Sequence, residues 1–192
     1  MKIKNKLVVF LLLASCNTQL DDREFAAYVK DSGKGLRKTI TVDQIVYDVQ
    51  YMPARMILVQ EQLQADEKKK RAAQLKGTLW FTISLKCLHS SVNPLKYQVS
   101  GIEEYNERLD YFLNHAGKNI RLDYGTKVLQ PISYHFENNY GLTANETIMV
   151  GFEMPEEEQD ADATLVFEDK VFKNGIIKAF FPADKLRKAN KI

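Results

Sequence analysis

Leu79-Trp80-Phe81-Thr82-Ile83-Ser84-Leu85-Lys86-Cys87 is the stretch that decides the fold. Leu79, Phe81, Ile83, Leu85 and Cys87 occupy alternate positions, with Trp80, Thr82, Ser84 and Lys86 between them. A period of two puts one set on each face of a pleated strand, apolar on one side and largely polar on the other. Upstream, Ile45, Tyr47, Val49 and Tyr51 alternate with Val46, Asp48 and Gln50, and Pro53 ends that strand or puts its end at a sheet edge. Downstream, Ile132, Tyr134 and Phe136 alternate with Ser133, His135 and Glu137. Ile148, Val150, Phe152 and Met154 share a face opposite Met149, Gly151 and Glu153. Leu165 to Phe167 and Ile176 to Phe181 read as a final pair joined through Lys173-Asn174-Gly175, since Asn-Gly between apolar runs is a hairpin signal.

The same period, carried back, reads Phe25 to Val29 as a first strand ending at the turn cluster Asp31-Ser32-Gly33-Lys34-Gly35. Two segments depart from it. Gln60 to Leu75 is rich in strong helix formers and predicts a helix, with Glu67 and Arg71 placed for an i, i+4 ion pair. Glu103 to Asn114 puts Tyr105, Leu109, Phe112 and, just beyond, Ala116 on one helical face, and Gly117 suits its stop. Strands outnumber helices and local turns join neighbours. The expected fold is therefore mainly β: an antiparallel, immunoglobulin-like β-sandwich with one or two helical insertions. The alternative is an α+β domain with its helices on one sheet face.

The chain has 192 residues, 45% hydrophobic and 27% charged, which is the length of one domain. Ten Phe, nine Tyr and one Trp supply a core and argue against bulk disorder. A formal charge of +2 gives no global argument for nucleic acid, and two cysteines cannot build a disulfide framework.

Lys2, Lys4 and Lys6 precede the apolar run Leu7 to Ala14, which is followed by Ser15 and Cys16. A basic start, a short apolar stretch and a small residue before the cut have the order of a secretory signal. The run is too short for a membrane-spanning helix, which needs about 20 residues. Leu13-Ala14-Ser15-Cys16 resembles the lipobox of bacterial lipoproteins. That resemblance implies cleavage before Cys16 and a diacylglycerol on its sulfur. Residues 1–15 are then a signal peptide, 16–24 a lipidated polar tether and 25–192 a single β-rich domain. Asp21-Asp22 is similar to the acidic export signal of some Bacteroidetes surface lipoproteins, so the outer-membrane anchor is expected to face either the periplasm or the cell surface. Loss of the signal removes three lysines and leaves 24 basic against 25 acidic side chains.

Candidate sites are few. Cys87 sits beside Leu85 and Ile83 and reads as a small buried hydrophobe, although His89 nearby makes a formal nucleophile–base pair. His89, His115 and His135 are too scattered for a metal motif, and His135 with Glu137 gives two ligands where zinc needs three or four. Glu156-Glu157-Glu158-Gln159-Asp160-Ala161-Asp162 lacks the spacing of a calcium loop and reads as a solvated loop. Lys68-Lys69-Lys70-Arg71 reads as a solvated helix face, with a docking patch for anionic headgroups as the sharper alternative. Phosphate-loop, dinucleotide and nucleophile-elbow motifs do not occur, so no cofactor and no catalytic residue is assigned. Trp80, on the polar face of its strand, could stack on a sugar or pack a partner, or be covered by a helix. Trp80, His135 and Glu137 form the candidate binding surface.

Beyond the signal, the chain resembles Bacteroidetes envelope lipoproteins with a single β-rich domain. The resulting expectation is a non-enzymatic cell-envelope lipoprotein, held to the membrane through Cys16, that binds an envelope protein or a glycan. The alternative is a lipid-anchored hydrolase with an unassigned carboxylate site.

Overall fold

The computed structural model describes residues 20–157 and 160–192. The expected signal peptide, Cys16 and the start of the expected tether lie outside them, as do Glu158 and Gln159 of the acidic run. The chain runs through α1 (Asp22–Lys30), β1 (Arg37–Val42), β2 (Ile45–Met52), α2 (Ala54–Glu61), α3 (Ala65–Leu75) and β3 (Thr78–Cys87). It continues through α4 (Ile102–Asp110), β4 (Ile120–Tyr124), β5 (Lys127–Leu129), β6 (Ser133–Glu137), β7 (Asn145–Glu153), β8 (Ala163–Asp169), β9 (Gly175–Phe181) and α5 (Ala183–Lys191).

The strands form two antiparallel sheets, ordered β1-β2-β3-β7-β6 and β5-β4-β8-β9, so the expected sandwich with helical insertions is what folds. β3 lies at the centre of the larger sheet, paired with β2 through Tyr51↔Phe81 and with β7 through Phe81↔Val150. Its five alternate residues, Leu79 to Cys87, are all buried. The Phe81 ring meets Tyr51 at 5.3 Å and Phe152 at 6.1 Å on its own sheet, and Phe181 of β9 at 5.3 Å across the core. Tyr47 of β2 meets Phe167 of β8 edge-on at 6.3 Å. The two inner faces thus share one apolar cluster.

Two readings of the sequence are corrected. Phe25–Val29 is not a strand but the middle of α1: Phe25 and Val29, one helical turn apart, are the buried pair. The Asp21 carboxylate accepts from the Arg23 and Glu24 amides, and the Glu24 carboxylate accepts from the Asp21 amide. This reciprocal cap starts a helix where a polar tether was expected to run on to Glu24. The Arg55 guanidinium lies over the Phe25 ring at 4.4 Å and fixes the end of this segment. Its Nη2 donates to the Leu20 carbonyl at 2.7 Å and its Nη1 to the Ile192 carbonyl at 2.7 Å. Gln60–Leu75, expected as one helix, is a hairpin of α2 and α3 broken at Gln62, whose φ of 49° is left-handed. Arg71 consequently bridges back to Glu61 at 2.8 Å rather than pairing with Glu67.

The amphipathic face on α4 is as expected. Phe112 and Ala116 are buried and Tyr105 and Leu109 pack against the core, the helix passing into a π turn over Tyr111–His115. The Tyr134 hydroxyl donates to the Phe112 carbonyl there. The final hairpin also stands, with β8 and β9 paired from Ala163↔Phe181 to Asp169↔Gly175 and Gly175 at φ 73°. Glycine tolerates that left-handed turn without a side-chain penalty.

The sandwich has two unlike ends. At one, α1, α2 and α5 gather, and Arg55 joins both ends of the described chain. At the other, the β1–β2 and β8–β9 turns and the segment before α4 come together. Replacing the aromatic hub, Phe81→Ala, should lower stability by about 3–5 kcal/mol, the cost of a large unfilled core cavity. Urea unfolding checks this, with the exposed Ala73→Ser as a near-neutral reference.

Candidate functional site

The turn end holds a cleft of about 230 Å³ between the β1–β2 turn, the β8–β9 turn, the Tyr97–Gln98 segment and α4. Asp43 and Gln44 come from the first turn, Phe172 and Asn174 from the second, and Arg108 from α4. Three non-glycine residues with left-handed backbone, Asp43 at φ 50°, Gln98 at 52° and Lys173 at 58°, lie in or beside it. Such conformations cost free energy and persist where surrounding contacts hold them.

Those contacts are a buried polar network beneath the cleft. The fully buried Tyr47 donates its phenol proton to the Asp169 carboxylate. Asn174 Nδ2 donates to the Tyr47 hydroxyl oxygen at 2.8 Å and to the Val42 carbonyl at 3.3 Å. Asp169 Oδ1 accepts from the amides of Val171 and Phe172 at 2.9 and 3.0 Å. Burial first, and then the hydrogen bond to Asp169, push the Tyr47 phenol far above its ordinary range, so it stays a donor. The network ties β2 of one sheet to the β8–β9 turn of the other.

Arg108 holds the opposite wall. Its Nη1 donates to the Tyr97 carbonyl at 2.7 Å, its Nη2 pairs with Glu104, and its guanidinium faces the Phe172 ring at 5.6 Å. Hydrogen bonds from the Ser100 amide and hydroxyl, followed by the one from Arg108, hold the Glu104 carboxyl at about 2. Arg108 is therefore spent on structure, as are both N–H groups of the Asn174 side chain, and the groups left to meet a ligand are the Asp43 carboxylate, the amides of Gln44 and Gln98, and the rings of Tyr97 and Phe172. Among the described residues the lining holds no histidine, cysteine or serine and a single carboxylate. Its chemistry is that of hydrogen bonding and ring contact.

The residues singled out from the sequence lie elsewhere. Trp80 is half-buried on the outer face of β3, its ring laid across Gly151, where a Cβ would come within 2.8 Å of Cζ3. Its indole N–H is buried without a hydrogen-bond partner. One face of the ring is thus occupied by main chain. His135 and Glu137 are exposed on the outer face of the edge strand β6, in the rows of Met149 and Thr147. Trp80, His135 and Glu137 therefore share a flat sheet face and line no cleft described here. Cys87 is buried, which raises its thiol pKa, while His89 is exposed beyond the strand end. Among the described residues no three His, Cys, Asp or Glu side chains are grouped to hold a metal ion.

Comparison with protein-family models, curated proteins and solved structures finds no match.

One further buried carboxyl escaped the sequence reading. Glu146 points inward from β7 opposite Leu85, 1% exposed. Its Oε1 accepts from Asn93 Nδ2 at 2.6 Å and its Oε2 has no partner. Desolvation raises its pKa against the smaller opposing effects of Asn93 and Lys96. The folded state therefore holds this proton more tightly than the unfolded chain, and stability falls as pH rises from the ordinary value of 4.5 through the folded one. Glu146→Gln should flatten that slope and raise the urea midpoint at neutral pH relative to the parent, which unfolding at a series of pH values checks.

Proposed function

We propose that the chain is a non-enzymatic, lipid-anchored cell-envelope module that binds a glycan end group in the cleft at its turn end. The observation that carries the reading is the cleft's lining. Amide and carboxylate groups are mounted on strained turns that a buried network holds still, with Tyr97 and Phe172 beside them. Planar polar side chains match the paired hydroxyls of a sugar, and aromatic rings suit its apolar C–H faces. A volume of about 230 Å³ falls below the roughly 300–1,000 Å³ of sites that engulf a drug-sized ligand, which favours a terminal residue of a longer glycan. With the lining carboxylate lacking a partner acid or base, binding is favoured over hydrolysis.

The lipid anchor rests on the Lys2–Cys16 pattern. Metabolic labelling with an acyl precursor should mark the parent chain and leave Cys16→Ser unmarked, and equal labelling of both would refute the anchor. On an array of bacterial surface oligosaccharides, Gln98→Ala and Phe172→Ala should each lose tenfold or more in affinity, about 1.4 kcal/mol. His135→Ala, outside the cleft, should bind as the parent does. Binding that survives both cleft substitutions, or no bound glycan at all, would defeat the reading.

A further inference from the structure

Residues 88–101 cross from the end of β3 to the start of α4 as a strap over the turn end of the sandwich. At its start the Leu88 amide donates to the Gln44 carbonyl at 2.8 Å, and further along Tyr97 and Gln98 line the cleft. Between these points Pro94 and Leu95 are buried against β3 and β7. The buried Asn93 ties the strap down. Its Nδ2 donates to Glu146 Oε1 at 2.6 Å and to the Thr143 carbonyl at 3.0 Å, while its Oδ1 accepts from the Leu95 amide at 2.9 Å. The Lys96 and Tyr97 amides continue the turn, donating to the carbonyls of Asn93 and Pro94. From the far side Arg108 holds the carbonyls of Tyr97 and Pro94 at 2.7 and 3.5 Å. The β6–β7 turn beneath is braced within itself, Asn139 Nδ2 donating to Thr143 Oγ1 at 2.6 Å and to the Asn145 carbonyl at 2.8 Å. The strap, rather than its seat, is the part able to move.

The tie rests on a carboxyl with little to hold a charge. Glu146 Oε2 is buried without a partner, and Oε1 meets a neutral donor. Of the charged groups around it, Lys96 is the one that acts on it, and that residue is exposed on the strap beside Gly141. Lys86 on β3 and His135 and Glu137 on β6 are exposed, and Arg108 on α4 is paired with Glu104. Residues 138–144 carry no charged side chain, and burial raises the Cys87 thiol. A carboxylate buried this way is costly, whereas the protonated group keeps its bond to Asn93 at small cost. Once ionised, Glu146 gains water when the strap swings out.

Building on the cleft reading, we propose that Glu146 is a pH-operated latch for this strap: ionisation of its carboxyl frees Asn93–Lys96 and leaves the Tyr97–Gln98 wall of the cleft held from one side, by Arg108. The cleft is then firm in mildly acidic surroundings and loosens as pH rises. The closed strap keeps the Glu146 proton and the open one releases it. Opening therefore grows by up to about tenfold per pH unit from the ordinary value of 4.5 to the raised one of the closed strap, and levels off above it.

Hydrogen exchange of the folded full chain carrying Cys16→Ser, followed amide by amide, tests the latch. After correction for intrinsic rates, the Leu95, Lys96 and Tyr97 amides should lose protection along that slope, through openings that dilute urea does not promote. The Ile83 and Leu85 amides of β3 should exchange more slowly, through urea-sensitive global unfolding. Glu146→Gln should remove the slope, and Glu137→Gln on the exposed face of β6 should keep it. Asn93→Ala, which removes the tie from the other side, should speed exchange of the strap amides at every pH. A fluorophore on Gln98→Cys should lose anisotropy over the same pH range, and should not do so when Glu146→Gln is added. Strap protection that is flat with pH, that changes equally in Glu146→Gln, or that is lost only together with β3 overturns the latch. Constant anisotropy at position 98 overturns its hold on the cleft. The glycan array stands apart from these measurements: a pH-dependent strap with no bound glycan removes the cleft reading alone.

Discussion

Phe81 of β3 and Phe181 of β9 meet at 5.3 Å with both rings fully buried, and this contact sets one sheet on the other. Each such aromatic pair contributes about 0.5–1.5 kcal/mol beyond the area it buries. Tyr51 and Phe152 add two more pairs to the same ring, so Phe81 joins three strands and both layers. Tyr51 carries the constraint to α5, its hydroxyl donating to Asn190 Oδ1 at 3.0 Å, and burial pushes that phenol up to about 12. At the other end the buried Tyr47–Asp169–Asn174 network repeats the cross-sheet tie in polar form. An apolar lock near the helices and a polar lock near the turns hold the two ends in a fixed relation.

That relation serves the cleft at the turn end. The cleft rests on turns that the polar lock holds, at the opposite end of β3 from the helices, and the ten residues of that strand span about 33 Å.

The alternation at Leu79–Cys87 was readable because a central strand with one face in the core imposes period two on its residues. The β8–β9 hairpin was readable from Asn174-Gly175 for the same local reason. α1 was misread because Phe25-Ala26-Ala27-Tyr28-Val29 is too short to separate the two periods, although Asp21 and Glu24, three apart, carried the capping signal. The break at Gln62 was silent, since neither glycine nor proline marks it. The cleft was out of reach: Tyr47 and Asp169 are 122 residues apart, and nothing in either neighbourhood names the other. Trp80 drew attention as an aromatic on the polar face of its strand, but Gly151 on the neighbouring strand leaves the space into which its ring folds.

The most direct test places a fluorophore at each end of the lipidated protein in vesicles that carry a headgroup quencher. Lys76→Cys labels the helical end and Gln98→Cys the cleft, and the buried Cys87 stays unreacted. Strong quenching at position 76 and little at position 98 is the expected result. Equal quenching at the two positions, or stronger quenching at 98, would contradict an anchor that leaves from the helical end.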